Sequence, residues 1–284
     1  MHHFYSLRAA LSGVTGVLYG GAMSFEQALP KSLSPSRLQD FQSCPRKYQH
    51  ASIERIPQPA SYASAKGRFV HSIFEHLHQL PGPERTVERA RELVTPAIET
   101  VLTDDVRSDI GLDDAMLEKL LKETESIITT YFEMEDPRTI NHEGVELRLG
   151  VDIDGTPLFG ILDRLDRDED GQLVIVDYKT GGLPNRNYDS STFANAELYA
   201  ALCEAKLGEQ PDKIRLLYVA QGQTIERSVT AVTVKARANA ATNAWQRINR
   251  YYDDGDFPAT PSKSACRFCA YREICKADGV PVPA

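Results

Sequence analysis

Long hydrophobic runs are missing from this chain of 284 residues, and with them a membrane span, which needs roughly 20 consecutive apolar residues. The nearest approach is the uncharged stretch Ala9–Phe25. Its small-residue end, Gly20-Gly21-Ala22, would suit a weak signal peptide, but an unstructured leader is the commoner reading of such a stretch. Met23 also offers an alternative start, so residues 1–30 are read as a leader. Positive charge is short as well: 32 Lys and Arg stand against 40 Asp and Glu, a net −8. That excludes a polybasic binder working by bulk charge, though not a local basic groove. Internal repeats and low-complexity tracts are absent, which excludes solenoid and linker proteins. No Gly-rich phosphate loop is visible. What remains is a core-forming chain of 42% hydrophobic and 25% charged residues, with the features of a cytoplasmic protein.

Cysteine is scarce too, and its placement matters more than its number. Cys44, Cys203, Cys266, Cys269 and Cys275 make an odd set, in a chain too long to need disulfide stapling. Three of them form Cys266-x2-Cys269-x5-Cys275. Thiolates two residues apart can face one centre, so this spacing reads as metal ligation and requires a fourth ligand from elsewhere. Cys44, in Cys44-Pro45-Arg46-Lys47-Tyr48, is the natural candidate. Cys203 sits in an apolar helical stretch, where a buried free thiol is the commoner case. Four thiolates suit zinc as well as an iron–sulfur cluster.

Periodicity supplies the elements. Ser34-Pro35 is a helix start. Val70, Ile73, Phe74 and Leu77 form the apolar stripe of a helix over about 63–80, which Pro81-Gly82-Pro83 ends. Helical stretches follow over about 84–103 and 113–134. The period then becomes two. Val145, Leu147, Leu149 and Val151 mark a strand, Asp154-Gly155 a hairpin turn, and residues 158–166 and 173–178 two further strands. A helix over about 191–207, strands over 214–219 and 224–234, and a helix to about 252 complete an α/β (α+β) pattern.

Three polar positions interrupt the apolar strands. Asp177 and Lys179 are separated by one residue, so both side chains leave one face of the third strand. A carboxylate beside an ammonium at a strand end can hold a divalent cation and position a water; taken alone, an Asp-x-Lys is more commonly a surface ion pair. Asp163, on the neighbouring strand, can add a second carboxylate if the strands pair as a meander. His71 lies one position off the helix stripe, on a face shared with Glu75 and His78, where a core histidine bonded to a carbonyl is the alternative.

Taken together, Gly67-x3-His71, Gly160-Ile-Leu-Asp163-Arg-Leu-Asp166, Asp177-Tyr178-Lys179-Thr180-Gly181 and Glu197-Leu198-Tyr199-Ala200 resemble the PD-(D/E)xK nucleases of the RecB type. The opening Leu33-Ser34-Pro35-Ser36-Arg37-Leu38 and Phe41-x2-Cys44-Pro45-Arg46-Lys47-Tyr48 share the resemblance. So does the arrangement of one early and three late cysteines, similar to AddB-like and CRISPR-associated iron–sulfur exonucleases.

The resemblance implies a restriction-endonuclease-like core, with a mixed central sheet flanked by helices, an N-terminal helical region and a C-terminal iron–sulfur tail. Residues 31–284 would form a single nuclease domain, with a helical insertion over about 84–135 and the cluster at 266–275 pairing with Cys44. It further implies Mg²⁺ or Mn²⁺ ligated by His71, Asp163, Asp177 and the Tyr178 carbonyl, with Lys179 as the catalytic lysine. Cys44, Cys266, Cys269 and Cys275 would hold a 4Fe-4S cluster that ties the chain's two ends together. The expected activity is a DNA exonuclease in repair or recombination, on single-stranded or end-bearing DNA, with unwinding left to a separate helicase because no helicase motif is present. A non-enzymatic iron–sulfur DNA-binding subunit is the alternative. Glu197 stands where the family usually carries glutamine, which places a carboxylate near the metal. Tyr199 can stack on a base or pack between helix and sheet. Arg46, Lys47, Arg164, Arg186 and Arg267 are candidates for a phosphate path, each otherwise a solvated charge.

Overall fold

The computed structural model describes residues 25, 27–184 and 192–283, so the leader up to Ser24 and its alternative start Met23 lie outside the described residues. In chain order the elements are α1 (Pro35–Ser43), α2 (Tyr62–His78), α3 (Val87–Glu92), α4 (Val94–Val101), α5 (Asp104–Ile110) and α6 (Asp114–Met134). Then come β1 (His142–Ile153), β2 (Thr156–Arg167), β3 (Leu173–Lys179), α7 (Ala194–Leu207), β4 (Lys213–Tyr218), β5 (Gln223–Ser228) and α8 (Ala231–Asp253). The helices and strands divide between two compact units. Of the described residues, one comprises those of Ser32–Ser36 and Gln58–Thr242; the other gathers those up to Lys31, Arg37–Pro57 and those from Asn243 on.

The larger unit holds a five-stranded sheet in the order β1-β2-β3-β4-β5. Neighbouring pairs are antiparallel except β3–β4, which are parallel and therefore need a crossover, supplied by α7. The mixed sheet flanked by helices is the expected architecture. At the β1–β2 hairpin, Asp154 and Gly155 both take positive φ, 51° and 74°. That is the geometry a two-residue hairpin turn demands.

The core of this unit lies between α2, α6 and the sheet. Phe69, Val70, Ile73, Phe74 and Leu77 of α2 are at most 1% exposed, and meet Leu120, Ile127, Ile128 and Tyr131 of α6 and Val174, Val176 and Tyr178 of β3. Each such side chain contributes about 1.5–3 kcal/mol by leaving water. Ser61 caps α2 in a reciprocal capping box with Ser64, which fixes where the helix begins.

Two expected elements differ. The helix expected over 84–103 is broken into α3 and α4. Pro96 has no N–H to give the carbonyl four residues before it, so it belongs in a first turn, here that of α4. The last strand ends at Ser228, because the Thr230 hydroxyl accepts the Thr233 N–H at 3.1 Å and opens α8 instead.

In the smaller unit, Phe41, Tyr48, Tyr251 and Phe257 form a ring cluster with centroids 5.7–6.0 Å apart. The Tyr271 hydroxyl donates to the Ile56 carbonyl at 3.1 Å. Aromatic contacts thus join the early and late segments of the sequence. No helix among the described residues is long and apolar enough to cross a membrane.

Candidate active site and cysteine centre

Strand register brings the acids together. Asp163 lies one step beyond the pair Arg164↔Val176, across from Asp177. On its other side Glu146 lies opposite it, between the pairs Val145↔Arg164 and Leu147↔Leu162. Helix α2 brings His71 to the same end of β3, where its Nε2–H donates to the Tyr178 carbonyl at 3.0 Å. His71 Nδ1 stands 3.5 Å from Asp163 Oδ1, and Asp163 Oδ2 accepts the Tyr178 N–H at 2.9 Å. Lys179 Nζ is paired with Asp177 Oδ2 at 2.5 Å. His71, Asp163, Asp177, Tyr178 and Lys179 are therefore brought to one place.

Electrostatics separate these groups. Burial alone would discharge His71, but the Asp163 carboxylate, with Asp177 behind it, outweighs that and holds the imidazole up to about 9. Burial would likewise lift Asp163, yet His71 and the Tyr178 N–H bring it below the usual carboxylate range. Asp177 goes the other way, lifted by burial and by Asp163 despite Lys179. Lys179 is raised, since Asp177 overcomes its desolvation. Two acids on adjacent strands thus share one imidazole and one ammonium, and each opposite charge favours the ionised form of its neighbour.

The donor set fits a hard divalent ion. Carboxylate and carbonyl oxygens suit Mg²⁺ and Mn²⁺. His71, Glu146 and Asp163 offer donor atoms that all lie within 4.8 Å of one another. Glu146 escapes the sequence reading, which places it among the polar residues alternating with the apolar ones of β1. Its signal is a backbone one, a φ of 46° in mid-strand, uncommon for a residue other than glycine.

Other candidate residues are placed differently. Arg164 is fully buried, forked onto Asp166 at 2.8 and 2.9 Å and onto Glu135 at 2.6 and 3.1 Å. It also donates to the Tyr178 hydroxyl at 2.6 Å. It belongs to the core and is closed to a phosphate path. Glu197 is also corrected: it is 3% exposed and accepts from Arg227 at 3.1 Å and Arg237 at 2.6 Å, so its charge is answered within the fold and not at a metal.

Tyr199 packs against β2. A Cβ on Gly160 would fall 2.3 Å from Tyr199 Cε1, so the glycine is what lets the ring lie on the strand. Arg46 donates to the Phe257 carbonyl at 2.8 Å and pairs with Asp256 at 3.3 Å. Lys47 pairs with Asp40 at 2.7 Å. Arg267 lies over the ring of Phe268, itself 85% exposed. Arg186 lies outside the described residues.

In the smaller unit Cys44, Cys266, Cys269 and Cys275 line one cavity. Cys44 Sγ accepts the Thr260 N–H at 3.4 Å. Burial, together with Cys269 and Cys44, raises the Cys275 thiol, as thiols gathered at one point require. Cys203 is apart from them, fully buried in α7, with its thiol pushed up to about 12 by burial.

With this geometry in view, three comparisons bear on identity. The chain is 29% identical over 178 residues to a subunit of the ATP-dependent helicase/deoxyribonuclease of Streptococcus agalactiae, in serotypes Ia, V and III. The match spans 60% of this chain and 16% of each relative's length. Among solved structures, SSO0001 is 17% identical and covers 75% of this chain and 84% of its own, with a TM-score of 0.32. The profile of the PD-(D/E)XK nuclease superfamily matches residues 32–276, nearly the whole described chain, and this protein belongs to that superfamily.

Proposed function

We propose that the chain is a Mg²⁺- or Mn²⁺-dependent deoxyribonuclease that degrades DNA from ends in repair or recombination, on single strands or on duplex opened by a separate helicase. The observation that carries this is the meeting of His71, Asp163, Tyr178 and the Asp177–Lys179 pair at one end of β3. The helicase/deoxyribonuclease relatives support the substrate class and the partner. In this reading His71, Asp163, Asp177 and the Tyr178 carbonyl hold the ion. A bound divalent cation would acidify a coordinated water and offset charge on the phosphate. Lys179, kept protonated by Asp177, orients the attacking water and answers the charge that develops on the phosphoryl oxygens.

We read the four-cysteine cavity as the seat of a 4Fe-4S cluster: four thiolates meet at one cavity in the smaller unit, a donor set that suits such a cluster as well as zinc, and zinc is the alternative that a metal analysis separates.

The test is cleavage of end-labelled linear DNA, single- and double-stranded, beside a closed circle, with Mg²⁺, Mn²⁺ or EDTA. Linear DNA should be degraded with either metal and spared in EDTA, and the circle should survive. Lys179→Ala should cost on the order of a hundredfold or more in rate in protein that still melts cooperatively. Undiminished cleavage by folded Lys179→Ala would reduce Asp177 and Lys179 to an ion pair.

A further inference from the structure

Glu146 has no part in the centre assigned above. We propose that Glu146 is a further carboxylate ligand of the divalent cation, closing with His71 and Asp163 a three-sided cradle on the side of Asp163 away from Lys179. The inference rests on the metal-dependent reading and extends it to a residue outside that reading's ligand set.

Three observations carry it. Donor atoms of Glu146, His71 and Asp163 all lie within 4.8 Å of one another, so one ion can touch the three. Register sets Glu146 directly across from Asp163 on the antiparallel β1–β2 pair, where like charges destabilise a sheet. Among the described residues, moreover, Glu146 has no hydrogen-bond or ion-pair partner, although it is half-buried. The other two acids of the row are answered, Asp177 by Lys179 and Asp163 by His71 and the Tyr178 N–H.

The remaining charges do not supply a partner. Glu75 adds to the repulsion, and His71, already set beside Asp163, and Arg148 act on Glu146 only at a distance. A half-buried carboxylate facing a second carboxylate is unfavourable by itself and favourable around a cation. The left-handed φ of 46° at Glu146 accompanies this placement.

The experiment titrates Mn²⁺ into the full chain without DNA, following binding by calorimetry and by the spin-resonance signal of free Mn²⁺. Wild type, Glu146→Gln, Asp163→Asn and Lys179→Ala are compared, and each is melted in the metal-free state. Glu146→Gln should weaken Mn²⁺ binding about tenfold, the size of effect known for groups supporting metal sites. It should melt no lower than wild type without metal, since a repulsion is removed. Its cleavage should recover as Mn²⁺ is raised, whereas that of Lys179→Ala should not.

Unchanged Mn²⁺ affinity in Glu146→Gln, with binding lost in Asp163→Asn, would overturn the proposal and leave the centre as first read. Wild-type affinity in Asp163→Asn would remove the metal-dependent reading and the proposal with it. If Glu146→Gln melts lower without metal, Glu146→Ala replaces it in the titration and the same two outcomes decide.

Discussion

Replacing Arg164 by methionine separates a structural arginine from one that touches DNA. The side chain is 0% exposed, and its partners Glu135 and Asp166 are 14% and 9% exposed. Methionine keeps most of the aliphatic stem, so little cavity opens. What is lost is the charge that answers two carboxylates, together with a donor to the Tyr178 hydroxyl at 2.6 Å and to His78 Nε2 at 3.0 Å. Removing one partner of a buried pair costs about 3–5 kcal/mol, because the other is left charged in the interior. The two pairs share one guanidinium, so their costs overlap. About 4 kcal/mol lowers the melting temperature by on the order of 10 °C for a unit of this size. The assay is thermal and urea unfolding beside DNA binding at several salt concentrations. Removing the acids as well, in Arg164→Met/Glu135→Gln/Asp166→Asn, should recover part of the loss, since replacing a whole buried network costs far less than halving it. A single variant that melts like wild type but binds DNA with a reduced salt dependence would refute this account and return Arg164 to the phosphate path.

Two further outcomes follow from buried groups. His78 is 1% exposed, and burial, with Arg164, Arg85 and His142 nearby, pushes it down to about 2. Between that value and about 6.5 the unfolded chain takes up a proton that the folded one refuses, so stability falls as pH falls, by up to about 1.4 kcal/mol per pH unit. His78→Gln should flatten the melting-temperature profile between pH 7 and 5, and an unchanged slope would assign the acid sensitivity elsewhere. Anaerobically purified protein should be brown and carry iron and sulfide. Cys44→Ala should lose both together with stability while Cys203→Ala keeps them, and a colourless protein with stoichiometric zinc would rule the cluster out.

Local periodicity made most of the architecture legible. The stripe Val70, Ile73, Phe74 and Leu77 placed α2, and the alternation after Val145 with Asp154-Gly155 placed the hairpin. Where the reading erred, a competing local signal decided: Pro96 divided a charged helical stretch, and Thr230 capped a helix inside a β-branched run. Partners distant in sequence are a different matter. Nothing near Glu197 announces Arg227 and Arg237, 30 and 40 residues on. Glu146 was hidden for a third reason. Alternation treats every second residue of a strand as solvent-facing, and the φ of 46° that sets this one apart is a property of the backbone.

The alternation that carries Asp163 to His71 carries Arg164 the other way. Successive side chains of a strand point to opposite sides, so residues adjacent in sequence serve different environments. On β2, Asp163 reaches His71 while Arg164 enters the core. On β3, Asp177 and Lys179 meet each other, while between them Tyr178 sends its ring among Phe74 and Tyr131. Only the backbone of Tyr178 serves the candidate centre, its carbonyl to His71 and its N–H to Asp163. The buried Tyr178 ring thus anchors the residue whose two backbone groups meet His71 and Asp163, and the Arg164 network that grips the Tyr178 hydroxyl anchors it from the core. An arginine one residue from a candidate metal ligand thus bears on the centre through Tyr178, without facing the substrate.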